Sequence, residues 1–560
     1  MGTEELHELP IRDESPRLNP QNVGDRDLLW LDLSTVPEPL WVETHAELSS
    51  LRHTVRRRGA HLVVVLPEHR NERLRGELNP YRVGIARPPA SEAVRLHLRL
   101  ASIPAGEFQR PAPALDEFLA KSRSMLEIGH FAEFVVRARM EGHGDDFAAW
   151  CAWARDAMAD HTKDVAELVR DRREGPQRAL LLATAMLQGA HPDRVSEAAT
   201  ALLALVKYSR HEDETPLEHV DLAVRFDEIE AETDADGNVR FKKPGFDAAV
   251  RAHFWAHIPE LRRHLQEWVG SVVESGGLDD EDCDLLVERF ASQCLHPLYM
   301  TNLVSLVERW TSEPASKVRL RAASQALKHG LEHPEHGRFF RKTIYEWSKL
   351  TNLSPALTKV LVAICAEVMA VRHPPQALVR LHHLARRERL TTDARGALVR
   401  LVREGDAWLR RLLLQRLTSP SPDERIRVAD VELFLAVGDP GMVTESRRSA
   451  RPLIEDAVVR ERLAVGWGVV FEGRSHEEWG PFARSWLRAA FEGTRHRDRL
   501  LDVLITPDRS DEVLSRLYVT ARDLPRAESG ETFTPGERDR RAFAEYVLHK
   551  IDAAQGIPAA

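Results

Sequence analysis

The chain carries only four cysteines in 560 residues, Cys151, Cys283, Cys294 and Cys365, and none belongs to a CxxC pair. That spacing excludes zinc-knuckle and dithiol redox motifs, and scattered thiols are those of a reducing cytoplasm, the expected location. Aromatics are scarce at 6%, which suits helices packed through Leu, Ala and Val. No apolar run reaches the ~20 residues that cross a bilayer, so no membrane partner is expected. Met1-Gly2-Thr3-Glu4-Glu5 is acidic and polar, unlike the basic and then apolar order of a secretory signal. The dipeptide Gly-Lys does not occur, so there is no GxxxxGK[ST] phosphate loop, and no GxSxG elbow is present. Nor is there an excess of basic charge. The balance of 78 Lys+Arg against 87 Asp+Glu gives a formal charge of −9, which argues against broad electrostatic affinity for nucleic acid.

What is present is the composition of a soluble globular protein, 43% hydrophobic and 29% charged. The length is too great for one core and predicts three or four domains. Residues 1–24 hold prolines, charges and Asn without a period and read as a loose tail. The stretch Leu28–Pro89 reads as strand, helix, strand, helix, strand. Leu28-Leu29-Trp30-Leu31-Asp32 and His61 to Pro67 are continuously apolar runs, as in a parallel sheet covered by helices, and Tyr81–Ile85 is a shorter third strand. So thin a sheet has an unprotected edge. Either the tail adds a strand, helices cover the edge, or another chain completes it.

Almost everything beyond Pro89 has helical periodicity. The exception is Val224–Glu232, which alternates and predicts a strand. It is followed by the turn Asp234-Ala235-Asp236-Gly237-Asn238 and a short return strand, Val239–Lys242. Helices followed by a hairpin are the parts of a winged helix. From Asp279 onward come roughly a dozen amphipathic helices with short connectors, as in a helical repeat or bundle. Capping signals mark several starts: Ser354-Pro355, Ser421-Pro422-Asp423-Glu424, Ser475-His476-Glu477-Glu478 and Thr534-Pro535-Gly536-Glu537. The predicted fold is mainly α. It comprises a tail (1–24), a small α/β region (25–103), a helical region with a winged-helix-like hairpin (114–275, hairpin part 215–275), and a HEAT-like helical array (276–560).

Four apolar residues followed by Asp32 have the form of a Walker B strand. With the second strand behind it, the Arg87-Pro88-Pro89 step into a helix, and the helical, hairpin and helical-tail order, the chain resembles the C-terminal half of the nucleotide-binding domain of STAND-type or AAA-like P-loop ATPases. That resemblance implies that Asp32 contacts a metal in an ATP/Mg²⁺ site. The chain departs from the family by lacking the phosphate loop altogether, so no nest of N–H groups and no Lys meets the phosphates. It also places Leu33 where a second acidic residue is usual. Read locally, Asp32 caps the strand end or the turn after it.

His253 and His257 stand at i and i+4 on one helix face, a spacing that suits a metal. The zinc-protease form wants Glu after the first His, however, and Phe254 stands there with no third ligand in view. The Asp234–Asn238 turn is like a calcium loop, but its Gly237 is fourth rather than sixth, and Gly245 stands where the terminal Glu belongs. Pairs and triplets of arginine (Arg56–Arg58, Arg386-Arg387, Arg410-Arg411, Arg447-Arg448, Arg540-Arg541) read as solvated helix faces. Arg262 and Arg263, just after the hairpin, are where a winged helix would meet nucleic acid.

The expected function is that of a non-catalytic regulatory or interaction protein, derived from a STAND-like ATPase, that holds protein partners along its helical array without a cofactor. Two alternatives are a nucleotide-dependent switch whose phosphate loop comes from elsewhere, and a winged-helix DNA-binding regulator.

Overall fold

The computed structural model describes residues 6–9, 18, 20, 23–34, 36, 38–66, 76–104, 106–107, 110–208, 220–389, 391–405, 407–419, 424–445, 452–524 and 537–557. It is 70% helical, with five short strands in two small sheets among the described residues, and is therefore mainly α with a small N-terminal parallel sheet. The capping boxes predicted at Ser421 and Thr534, the arginine pair 447–448 and the predicted strand end at Pro67 lie outside the described residues. The chain forms two compact units. One comprises residues 1–80 with 341–560, the other residues 81–340.

The first unit begins with a parallel sheet of order β1 (Leu6–Glu8), β2 (Leu28–Asp32), β3 (His61–Val65). The expectation of a wholly loose tail is corrected here. Leu6, His7 and Glu8 pair in parallel with Leu28, Leu29 and Trp30, so the tail supplies a strand. Leu29 and Leu31 are fully buried, while β3, at the sheet edge, leaves Val63 57% exposed. The sheet is thus covered less completely than continuous apolar strands suggest. Helix α1 (Glu38–Arg57) connects β2 to β3 and stops at Gly59, whose φ is +59°. Gly59 N–H donates to the Arg56 carbonyl and Ala60 N–H to that of Val55, a Schellman cap that a side chain at 59 would strain. The predicted third strand, Tyr81–Ile85, is not formed. Tyr81 ends a 3₁₀ turn (Gly76–Tyr81), and residues 82–89 have no regular element. Gly84 weakens extended pairing there, and the chain leaves the unit that holds the sheet after Pro80.

The second unit is built from helices and one hairpin. Its central part runs α2 (Gly175–Met186), α3 (Pro192–Leu205), α4 (Leu222–Asp227), β4 (Ala231–Thr233), β5 (Val239–Phe241), α5 (Phe246–His257), α6 (Leu261–Ser275) and α7 (Asp280–Cys294). The strand predicted from Val224 is helical as far as Asp227, and only Ala231–Thr233 pairs with β5. The alternation gave way because Asp221 caps a short helix by accepting from Ala223 N–H, and that helix buries Phe226. The turn forms as predicted. Asp234 Oδ1 accepts from the N–H groups of Asp236 and Asn238, and Gly237 takes φ +86°. On the other side of β5, Gly189 N–H donates to the Val239 carbonyl and Val239 N–H to that of Ala190, which adds a two-residue bridge between α2 and α3. The end of α2 is closed by cations. Arg289 donates to the Met186 and Gln188 carbonyls, and Arg251, paired with Asp247, donates to that of Ala185.

The first unit resumes as a succession of helices: α8 (Pro374–Ala385), α9 (Asp393–Glu404), α10 (Ala407–Leu417), α11 (Glu424–Val437), α12 (Ala457–Gly473), α13 (His476–Glu492), α14 (Arg497–Leu504), α15 (Asp511–Arg522) and α16 (Glu537–Ala554). Each packs mainly on the next helix or the next but one. The caps read from sequence are in place where the residues are described. Ser354 Oγ accepts from Leu357 N–H, and Glu478 reaches back to Ser475 N–H at 2.8 Å.

Candidate functional site

Asp32 ends β2 with one carboxylate oxygen already engaged. Oδ1 accepts from Ser34 N–H at 2.8 Å and from Ser34 Oγ at 2.6 Å. It holds the turn after the strand, as the local reading of the sequence has it. The cleft in this unit lies at the other end of the sheet. It is lined by Val23, Gly24, Arg58, Trp408, Arg411, Leu412, Gln415, Asp456, Val458, Val459 and Arg462, and its mouth is open to solvent. Gly24 leads into β2 and Arg58 into β3, whereas Asp32 closes β2 opposite Val65. At ~3.3 Å per residue the two places are about 13 Å apart along the strand. Ligands of open α/β sheets bind beyond the carboxyl ends of the strands, and this cleft is at the amino ends.

The cleft is made where residues 23–24 and Arg58 meet helices α10 and α12. Arg411 on α10 directs Nη2 at both oxygens of Asp27, at 2.8 and 2.6 Å, and its Nη1 lies 3.6 Å from Asp456. Asp27 also accepts from Gly24 N–H at 2.7 Å. Arg26, between them, takes a left-handed φ of +60°, and its N–H donates to the Arg58 carbonyl. At Gly24 the guanidinium comes close enough that a Cβ would lie 1.7 Å from Arg411 Nη1, so any side chain there displaces it. Asp456 is the N-cap of α12 and accepts from Val458 N–H at 2.9 Å. Two more contacts fasten β1: His7 stacks on Trp408 with ring centroids 5.9 Å apart, and His373 Nδ1 lies 3.0 Å from Glu8 Oε2. Burial depresses the Arg462 pKa, against Glu461 and Asp456, which raise it.

The other residues singled out in the sequence occupy structural positions. Arg262 donates from Nε to the Trp255 carbonyl at 2.8 Å and from Nη1 to the Tyr299 hydroxyl at 2.6 Å, with its guanidinium over both rings. Arg263 is exposed and pairs with Glu267 one turn on, at 3.1 Å. His253 and His257 lie side by side with centroids 4.7 Å apart. The His253 pKa is lowered by burial first and then by His257. No group of three metal-ligating side chains occurs among the described residues.

Arg56, Arg57 and Arg541 lie on solvated faces as expected, but the pairs at 386–387 and 410–411 do not. Arg386 holds Asp430, Arg387 bonds the Ser348 and His383 carbonyls, and Arg410 bonds those of Val402, Gly405 and Met442. Of the cleft, sequence reasoning noted Arg58 and Arg411 only as members of basic runs and missed Arg462. The one available signal was an Arg doublet set among the apolar residues of Ala407–Leu414.

No protein-family model matches the chain, and neither a curated protein nor a solved structure matches it. No helix among the described residues is long and apolar enough to cross a membrane.

Proposed function

We propose that the chain is a non-catalytic interaction protein that holds a protein partner along the helices of residues 374–554. The observation that supports this most is their packing order. Each helix rests mainly on its successor or the next but one, the quasi-linear arrangement by which helical repeats present a long continuous surface. The polar groups that sequence alone offered for chemistry are spent on structure: Asp32 on Ser34, Arg262 on Trp255 and Tyr299, Arg411 on Asp27. Cross-linking mass spectrometry of the full chain with its partner tests the reading, and cross-links concentrated on residues 374–554 are expected. ATP turnover by the purified chain at an ordinary enzymatic rate would overturn it. Calorimetry with ATP and Mg²⁺ separates it from the nucleotide-switch reading, which requires binding that is lost in Asp32→Ala.

A second reading attaches to residues 175–258. The order helix, short bridge, two helices, hairpin, with the bridge bonded to the second hairpin strand, favours a winged-helix-like module. Its surface favours protein over DNA. Residues 221–243 carry seven acidic and four basic side chains. Three of those basic side chains are paired, Lys242 with Asp227 and Arg240 with Glu232 inside the module and Lys243 with Asp164 just before it. Retention on duplex DNA at low ionic strength, released steeply by salt, would favour the DNA-binding alternative instead.

A further inference from the structure

The sequence contains four His-Pro dipeptides, at His191, His296, His333 and His373, and each stands at the start of a helix or of the turn that leads into one. Proline suits the first helical position because its missing N–H is not needed there. The residue before it is the N-cap, a place usually held by Ser, Thr, Asp or Asn. In the second unit histidine fills it. Nδ1 of His191 accepts from Asp193 N–H, that of His296 from Leu298 N–H and that of His333 from Glu335 N–H, each at 3.3 Å. His373, in the first unit, turns its Nδ1 to Glu8 instead. An imidazole accepts at Nδ1 only when it is neutral, with its proton on Nε2. A histidine cap is therefore one that acid can remove, which a serine or asparagine cap is not.

His333 organises the largest share of its turn. Its Nδ1 also accepts from His336 N–H at 3.2 Å, and its carbonyl accepts from Gly337 N–H at 2.9 Å. Three successive backbone donors thus converge on one residue at the start of the helix Gly337–Lys349. At His191, by contrast, Asp193 Oδ2 lies 3.6 Å from Nδ1 and is placed to hold an imidazolium. Around His333 the balance is against positive charge. Burial, the His336 ring stacked on it at 4.7 Å, and His329 hold its pKa below the ordinary histidine value, and Glu335 opposes them. His329 belongs to the preceding helix, Lys317–Glu332. Glu288 of α7 and Glu332 act on it, and its Nε2 lies 3.0 Å from Ser292 Oγ of α7. We propose that His333 is an acid-released latch on this turn: neutral, it holds the amides of Glu335 and His336, and protonated, it lets them go. An imidazolium there has no lone pair for either amide and stands at the positive end of the helix. The latch keeps Phe340, fully buried one turn on, seated against Gly330, where an added Cβ would lie 2.7 Å from its ring. Between 6.5 and its lowered folded value, the open turn binds a proton at His333 that the closed turn refuses. Closure is therefore complete above that window and is lost as pH falls through it. The proposal is independent of the partner-binding reading above, which concerns other residues.

The experiment is amide hydrogen exchange of the full chain across pH 7.5 to 4.5, with rates corrected for the intrinsic effect of pH. The amides of residues 335–340 should lose protection at the acid end by about fivefold, the equivalent of a lost N-cap. The start of the preceding helix is the internal control. Ser316 Oγ caps it by accepting from Arg319 N–H at 3.3 Å, and a hydroxyl does not titrate in this range. Residues 317–322 should therefore keep their protection. His333→Asn supplies an acceptor without a titrating group and should hold residues 335–340 closed throughout. His333→Ala should leave them less protected at every pH. Wild-type protection at 335–340 that does not change with pH overturns the proposal without need of any variant. So does an equal loss at 317–322, which would mean a general loosening. An acid response that persists in His333→Asn, or undiminished protection in His333→Ala, overturns it as well.

Discussion

His382 and Asp430 meet in the interior of the first unit, with Nε2 and Oδ1 2.9 Å apart and the imidazole completely excluded from solvent. The other ring nitrogen, Nδ1, accepts from Arg416 Nε at 3.0 Å, and Arg386 grips both oxygens of Asp430. With Nδ1 accepting, the ring is neutral and donates through Nε2. Burial, aided by Arg386 and Arg416, pushes the His382 pKa down to about 3, against Asp430, which raises it.

This has a direct consequence for pH dependence. Between the ordinary histidine value of 6.5 and about 3, the unfolded chain binds a proton at His382 that the folded chain refuses. The stabilising contribution is complete above the upper value and is lost progressively as pH falls through that window, by at most ~1.4 kcal/mol per pH unit. The Asp430 pKa is lowered by His382 and Arg386 in spite of burial, so its contribution is lost only in stronger acid. Urea unfolding at neutral pH and near pH 5 should reveal the loss, and His382→Gln should flatten that slope. An unchanged slope in the variant would remove His382 as its source.

Gly24→Ala is expected to destabilise the first unit by about 1–3 kcal/mol, the usual cost of forcing atoms into filled space. The added methyl would meet Arg411 Nη1 at 1.7 Å and displace the guanidinium from Asp27. Hydrogen exchange reports the site directly: amides of β1 and β2 should lose protection while those of residues 175–294 keep theirs.

All four thiols are buried and free. Desolvation pushes the Cys283 pKa up to about 11 and those of Cys151 and Cys365 up to about 12, and it raises that of Cys294 as well. The native chain should react with a thiol reagent at mildly alkaline pH only at the rate of its opening, and all four groups should titrate at once in denaturant. A fast stoichiometric reaction in the native state would contradict this arrangement.

Trp486 donates from Nε1 to the Gly438 carbonyl at 2.7 Å within the packed interior and meets Trp467 edge to face. Trp486→Phe keeps an aromatic six-membered ring but removes the pyrrole part of the indole, which leaves that carbonyl unsatisfied and a void beside it, so a loss of about 2–5 kcal/mol is expected in chemical unfolding.

The sequence made the local structure plain wherever one residue type dominated a short range. β2, α1 and β3 were legible because an apolar run ended at Asp32, a helical period filled the gap, and a second apolar run began at His61. Ser354 and Ser475 announced their helices through chemistry contained within four residues. β1 was not legible, because three residues in a polar stretch become a strand only through the partner they find at Leu28–Trp30. Val224–Asp227 misled because alternation over so few residues competes with a cap at Asp221 and a single buried Phe226. The cleft lay furthest from reach. Its ion pair joins Asp27 to Arg411, and nothing in either neighbourhood names the other. Arginine doublets on helices read as surface, yet Arg410 and Arg386 are drawn inward by carbonyls and a carboxylate that only the tertiary fold supplies.

That β1 and β2 are fastened to Trp408, Arg411 and His373 bears on how the chain is made. Residues 81–340 are synthesised between the two parts of the first unit and carry a core of their own. On the ribosome the small sheet therefore emerges early and waits, its helical support unbuilt, while an entire unit is translated. Completion of the first unit is a late event that depends on its C-terminal helices, and chains arrested before residue 411 should retain a folded second unit beside an N-terminal segment that has not docked.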